Sequence, residues 1–147
     1  TRPAQRGSER GGDLPPVPTL LGRKHQRAEY GPRERHAFRE LIRRHPTSPR
    51  RADALLYLGQ TYSGHHATPG QSTDYRQAIA LYEQAILAAE RDWIKAQARG
   101  RIGQCHERLG RPDLARAAYQ EVQQKYPGTP WFKVAAELEK KLDRQPR

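Results

Sequence analysis

The sequence contains no methionine and only one cysteine, Cys105, among its 147 residues. A single cysteine cannot form an internal disulfide, and it cannot build a cysteine-rich zinc module. No stretch approaches the roughly 18 consecutive apolar residues that a transmembrane helix requires. Because the chain begins at Thr1 rather than at a methionine, we expect it to be a processed or trimmed product.

Hydrophobic residues are also scarce, at 35% of the chain, against roughly 45–50% in an average globular domain. Lys and Arg number 27 and Asp and Glu 16, which gives a net charge of +11. Residues 1–51 carry 13 bases and 5 acids, whereas residues 52–147 carry 14 bases and 11 acids. The length and this uneven charge predict one domain with a basic N-terminal appendage.

Residues 1–31 are predicted to form an extended arm in front of a helical domain at 32–147. The first 21 residues contain four prolines and three glycines, which disfavour regular structure. The bases of the arm can pair with the carboxylates of an acidic protein or with the phosphates of a nucleic acid. No aromatic residue interleaves them before Tyr30, and this favours a protein partner. The bases expected to contact the partner are Arg2, Arg6, Arg10, Arg23, Lys24 and Arg27.

From about Pro32 onward, apolar residues recur with the 3.6-residue period of an α-helix, and no strand pattern competes. The predicted fold class is therefore all-α. Asp74 and Gln77 predict a capping box, Gly110 a left-handed helix end, and Pro112 the first turn of a helix. The predicted helices cover residues 32–44, 49–63, 74–91, 93–109, 112–126 and 130–144.

Two parts of this helical region align with each other. In segments 38–49 and 119–130, an aromatic residue, an aliphatic residue and two prolines fall at identical spacings. Four coincident spacings favour an internal repeat over an unrelated helical bundle. A second correspondence joins residues 55–91 and 96–130. Small residues at the expected helix crossings match, as does the aromatic residue that follows them: Gly59 with Gly103, Ala78 with Ala115, and Tyr82 with Tyr119.

These spacings resemble the tetratricopeptide repeat, a helix–turn–helix unit of about 34 residues. Residues 96–130 resemble one complete repeat, and residues 55–91 resemble another with about seven extra residues between its helices. Residues 32–46 resemble the second helix of a preceding repeat, and residues 130–144 resemble a capping helix. The resemblance implies a helical solenoid of about two full repeats between a half repeat and a cap.

The resemblance also implies a function. It implies a non-enzymatic scaffold or adapter that acts as an accessory subunit of a larger protein assembly, with homo-oligomerisation through stacked ends as a further possibility. A nucleic-acid-binding or ribonucleoprotein component that uses the basic arm is the alternative. The repeats are similar in style to those of bacterial envelope proteins, so we expect an exported, periplasmic or extracellular location, with a cytoplasmic one left open.

In this family the first helices of successive repeats line a concave groove, which implies that the groove binds the partner. The carboxylate clamp of the chaperone-binding members is absent, because Leu56, Gln60, Gly100 and Gln104 stand at its positions. Trp93 and Trp131 are either interface anchors or repeat core. The implied groove residues are Asp53, Leu56, Gln60, Gln97, Gln104, Glu107, Arg108 and Trp131, with Ser63, Gly100 and Val134 beside them.

No arrangement typical of catalysis occurs, and we expect neither enzymatic activity nor a metal or cofactor. A Ser–His–Asp order, a Gly-rich phosphate loop and paired carboxylates are all absent from the sequence. His65 and His66, with His106, suggest only a metal- or haem-associated alternative, since no carboxylate or cysteine recurs at i+3 or i+4. Cys105 is predicted to be a buried packing residue, and His106 to pack between helices.

Overall fold

The computed structural model describes residues 32–64 and 73–144. These residues form six α-helices and no strand, which confirms the all-α prediction. The arm at 1–31, with its six expected partner-binding bases, and the loop residues His65 and His66 lie outside the described residues. The helices are α1 (Pro32–Arg44), α2 (Arg51–Ser63), α3 (Tyr75–Ala88), α4 (Asp92–Arg108), α5 (Pro112–Lys125) and α6 (Trp131–Arg144).

The largest difference from the predicted boundaries is at the end of α3. This helix ends at Ala88 rather than at Arg91, because Ala89 is extended, with φ −75° and ψ 144°. Arg91 is also extended and forms the N-cap of α4. Asp92 then lies in the first turn of α4, where a carboxylate interacts favourably with the helix dipole. The two helices are therefore joined by a short extended linker at 89–91.

The capping box predicted at the start of α3 is half formed. Asp74 Oδ1 accepts a hydrogen bond of 3.0 Å from the backbone N–H of Gln77. The backbone N–H of Asp74 donates to the carbonyl of Tyr62, at 2.8 Å, instead of to the Gln77 side chain. Asp74 therefore caps α3 and also ties its start to the end of α2.

Gly110 ends α4 as predicted, with a φ of 75°. Its N–H donates to the carbonyl of Glu107, at 3.0 Å, and the N–H of Arg111 donates to that of His106, at 2.8 Å. These bonds satisfy carbonyls that the helix end would leave open. Pro112 follows as the first residue of α5.

Gly110 and Gly128 form a matched pair for testing this helix end. A Cβ added at either position meets nothing within 4 Å, but only Gly110 has a positive φ. We expect Gly110→Ala to lower the free energy of unfolding by about 1 kcal/mol. Gly128→Ala should leave it unchanged or raise it by up to about 1 kcal/mol. Urea denaturation measures both variants, and equal effects would contradict a cost of the left-handed conformation.

The six helices pack as two hairpins with a helix added at each end. α2 packs on α3 and α4 packs on α5, while α1 packs on α2 and α6 packs on α5. α2 also contacts α4, and α4 contacts α6, whereas α3 and α5 make no comparable contact. Because the first helices of the hairpins lie closer together than the second, α2, α4 and α6 form the concave side of the stack. We call these three helices the inner layer.

Each hairpin is closed by a tyrosine ring that lies against a glycine. Tyr82 and Tyr119 are fully buried. A Cβ added at Gly59 would lie 2.7 Å from Tyr82 Cε1, and one added at Gly103 would lie 2.5 Å from Tyr119 Cε1. The sequence predicted small residues at these helix crossings, Gly59 with Ala78 and Gly103 with Ala115. The group nearest to an added Cβ is in each case the tyrosine ring, one turn beyond the alanine on the second helix.

The two end helices cover the apolar faces that the hairpins leave open. On α1, Phe38 is fully buried and its ring stacks on that of Tyr57, with centroids 6.3 Å apart. On α6, Ala135 and Leu142 are buried in one cluster with Tyr119. The predicted half repeat and capping helix thus occupy the two ends of the stack.

Candidate functional site

The expected groove residues differ in how far they are buried. Leu56 and Gln60 on α2 are fully buried, so they present no surface to a partner. Their expected place on an open groove is corrected, because α2 is enclosed by α1, α3 and α4. Asp53 lies at the start of the same helix, where its Oδ1 is 3.4 Å from the guanidinium of Arg91.

The remaining expected residues belong to α4 and α6. Gln97 and Glu107 on α4 are partly buried, and Arg108 is exposed. Glu107 accepts a hydrogen bond from the hydroxyl of Tyr119 on α5, so its carboxylate is held between the two helices of a hairpin. Gln104 Oε1 accepts a hydrogen bond of 3.2 Å from Arg101.

Trp131 is a contact between α4 and α6, and it also lies on the inner layer. Its ring lies against Gly100, where an added Cβ would overlap the ring atoms. The guanidinium of Arg101 lies over the same ring, 5.0 Å from a ring centroid. The Trp131 side chain stays only partly buried. Val134, one turn further on α6, is 39% exposed.

Arg101 is the central residue that sequence reasoning missed. It lies four residues after Gln97 and three before Gln104. Residues at these spacings share one face of a helix, so the sequence could have indicated Arg101 as a further groove residue. Burial is the main reason that the pKa of Arg101 is lowered, and the groups that raise it are Tyr82, Cys105 and Tyr57. We call Tyr57, Arg101, Gln104 and Trp131 the inner-face cluster.

Uncharged polar groups surround this guanidinium. Burial, with the nearby charge of Asp53, raises the pKa of Tyr57 to about 12. Burial also raises the pKa of Tyr82, whose hydroxyl lies 3.1 Å from that of Ser63. Both tyrosines are therefore neutral hydrogen-bonding groups at physiological pH. The inner-face cluster thus combines one cation, one amide, one hydroxyl and one indole. Arg101, Gln104 and Trp131, which are only partly buried, suit contacts with polypeptide backbone and side chains.

Gln60 is a buried amide on α2, one turn after Tyr57. Its Nε2 and Oε1 are both buried and have no hydrogen-bond partner among the residues that the structure describes. Each unsatisfied polar group of this kind costs about 1–3 kcal/mol. Its neighbour Thr61, which is equally buried, donates to the carbonyl of Leu58, at 2.6 Å.

In the sequence, His106 is one of three histidines that suggest a metal-associated alternative. Within residues 34–64 and 73–144, no three His, Cys, Asp or Glu side chains come together as a possible metal site. The pKa of His106 is lowered, chiefly by burial and then by Arg111. Its side chain is partly buried on α4.

Cys105 is buried, as predicted. Burial raises the pKa of its thiol to about 12. Because the thiolate is the reactive form, we expect a thiol reagent such as DTNB at pH 8 to modify the folded protein more than about a hundredfold slower than a free cysteine. The urea-unfolded chain should react at the rate of a free thiol. Fast modification under native conditions would contradict the buried position.

Comparison with known families bears directly on this two-hairpin arrangement. Residues 70–130 match the family model of the tetratricopeptide repeat. This part of the chain is similar to tetratricopeptide repeats. The matched range includes α3 and the complete hairpin of α4 and α5. Comparisons with curated proteins and with solved structures gave no match.

The family match has general consequences for function. Tetratricopeptide repeats generally mediate protein–protein interaction and scaffolding, and proteins of this family are typically non-enzymatic. Protein partners are therefore the first class of ligand to consider. Among the described helices, none combines the length and the apolar character needed to cross a membrane.

Proposed function

We propose that this tetratricopeptide-repeat chain is a non-enzymatic adapter that binds a segment of a partner protein on its inner layer, as an accessory subunit of a larger assembly. The observation that supports this proposal is the inner-face cluster. It places Arg101, Gln104 and the partly exposed side chain of Trp131 together across α4 and the capping helix α6. Arginine and tryptophan are the residues most enriched among the energetic anchors of interfaces.

The experiment that tests the proposal compares an inner-face variant with an outer-face variant. The full chain is immobilised, and proteins captured from an extract of the native source are identified and then titrated as purified partners by calorimetry. Gln97→Glu combined with Arg108→Glu changes the charge of the inner layer at positions that are not fully buried. Arg76→Glu changes the charge of an exposed position on α3 and serves as the control.

We expect the inner-face variant to weaken the partner at least about tenfold, because like charges at an interface suppress binding. Arg76→Glu should bind as the wild type does. A partner that binds both variants equally well would overturn the inner-layer proposal.

The proposal assigns the basic arm a second contact. Its six bases, Arg2, Arg6, Arg10, Arg23, Lys24 and Arg27, would pair with carboxylates on an acidic surface of the partner. We also propose an exported location in a bacterial envelope, in line with the style of the repeats.

Nucleic-acid binding through the arm is the second candidate, because residues 1–51 carry 13 bases and only 5 acids. It is tested with the full chain in which the six arm bases are replaced by glutamine. If the arm binds phosphates, the affinity for RNA should fall by roughly 0.9 log unit per log unit of salt for each phosphate contacted. The glutamine variant should then lose this salt dependence, and such a result would replace the acidic-protein role of the arm.

A further inference from the structure

An open cleft of about 810 Å³ lies between two loops on one edge of the repeats. One wall is the α1–α2 loop at 46–50, and the other is the linker between α3 and α4. The first turn of α2 lies between them. We call this cleft the loop-edge cleft. None of the residues that line it belongs to the inner-face cluster. Asp53, which we expected in the groove, lines this cleft instead.

Three arginines, Arg50, Arg51 and Arg91, line the loop-edge cleft. The guanidinium of Arg91 lies 3.4 Å from Asp53 Oδ1. Burial raises the pKa of this carboxyl, against the opposing effects of Arg91 and Arg50. The Nε atom of Arg51 is buried and has no hydrogen-bond partner within the described part of the chain. Asp53 and Glu90 therefore balance only part of the positive charge of the lining.

The backbone adds to the attraction for anions. Arg50 is the N-cap of α2 and Arg91 the N-cap of α4, and neither makes a side-chain capping hydrogen bond. First-turn N–H groups and the positive end of the helix dipole favour a negative charge at such ends. The exposed rings of Pro46 and Pro49 also line the cleft, so the cleft offers cations beside an apolar surface.

We propose that the loop-edge cleft binds a short acidic peptide segment of a partner protein. Carboxylates of the segment pair with Arg50, Arg51 and Arg91, because a guanidinium binds a carboxylate through two parallel hydrogen bonds. The volume of the cleft falls within the roughly 300–1,000 Å³ of known ligand pockets. Small apolar residues between the carboxylates contact the exposed rings of Pro46 and Pro49. This site does not depend on whether the inner layer binds a partner.

The test uses the full chain and a fluorescent ten-residue peptide of alternating Glu and Ala, with a Gln–Ala peptide as the neutral probe. Arg51→Gln and Arg91→Gln should each weaken binding of the acidic peptide about tenfold, as expected for the loss of a charged hydrogen bond. Glu90→Gln should strengthen binding about threefold, because it removes a repulsive carboxylate from the rim. Arg76→Gln, outside the cleft, should leave the affinity unchanged. Fluorescence anisotropy measures all five proteins.

The opposite directions expected for the neighbours Glu90 and Arg91 separate a specific site from general attraction to a basic protein. Thermal melting followed by circular dichroism shows whether Arg91→Gln alters folding. Because Glu90 is exposed, Glu90→Gln still tests the cleft if it does. Equal affinities of all variants, or equal binding of the Gln–Ala peptide, would overturn the proposal. Competition by inorganic phosphate at concentrations matching the peptide would overturn the assignment to peptide carboxylates.

Discussion

Tyr119→Ala is expected to lower the free energy of unfolding by about 3–5 kcal/mol, the usual cost of removing a buried aromatic side chain. The ring is fully buried and lies against Gly103 at the crossing of α4 and α5. A native domain has only about 5–15 kcal/mol of stability in total. The melting temperature should therefore fall by roughly 10–30 °C, as thermal melting followed by circular dichroism would show.

Two further variants separate the contributions of the ring and of the hydroxyl of Tyr119. Tyr119→Phe keeps the ring but removes the hydrogen bond to Glu107. It should cost only about 1 kcal/mol, because the partly exposed Glu107 can be hydrated instead. Gly103→Ala keeps Tyr119 but pushes a methyl group into its ring, at an expected cost of about 1–3 kcal/mol.

A double-mutant cycle then tests the contact itself. In the Tyr119→Ala background the space against Gly103 is empty, so Gly103→Ala should no longer destabilise the protein and should gain up to about 1 kcal/mol of helix propensity. The coupling energy between the two positions should therefore be about 1–4 kcal/mol. Simple additivity of the two changes would show that the glycine is not needed for the approach of the ring. The Gly59 and Tyr82 pair in the preceding hairpin should give the same cycle.

The helical part of the fold could be predicted because its ends are marked by residues with strong local preferences. Asp74, Gly110 and Pro112 act through their own backbone geometry, and each is found at a helix end as expected. The end of α3 was predicted too late, because nothing local marks Ala89 as extended. Its position depends on how α4 packs against α2 and α3.

The candidate sites were predicted less well, since they depend on contacts between distant parts of the chain. The resemblance to tetratricopeptide repeats implied that Gln104 and Trp131 line one groove, but the position of Arg101 over the indole follows from the approach of α6 to Gly100. The loop-edge cleft brings together Arg51 and Arg91, which lie 40 positions apart in the sequence. No local pattern shows that the two loops are neighbours.

Gln60 and Thr61 show how two adjacent buried polar residues can contribute with opposite signs. The exposed fraction of both is 0%. The Thr61 hydroxyl donates to the Leu58 carbonyl and accepts a hydrogen bond of 3.0 Å from Arg35 Nε, whereas the Gln60 amide has no partner among the described residues. A satisfied polar group stabilises a fold modestly, while an unsatisfied one keeps its full desolvation cost.

Gln60→Leu is therefore expected to raise the free energy of unfolding by about 1–3 kcal/mol, because leucine has a similar shape and removes the unpaired amide. Thr61→Val, the matched change next to it, should lower the same free energy by about 1–2 kcal/mol, since it removes both hydrogen bonds of the hydroxyl. Urea denaturation of the two variants beside the wild type measures the difference. If Gln60→Leu proved as destabilising as Thr61→Val, the amide would have to be hydrogen-bonded in the folded protein.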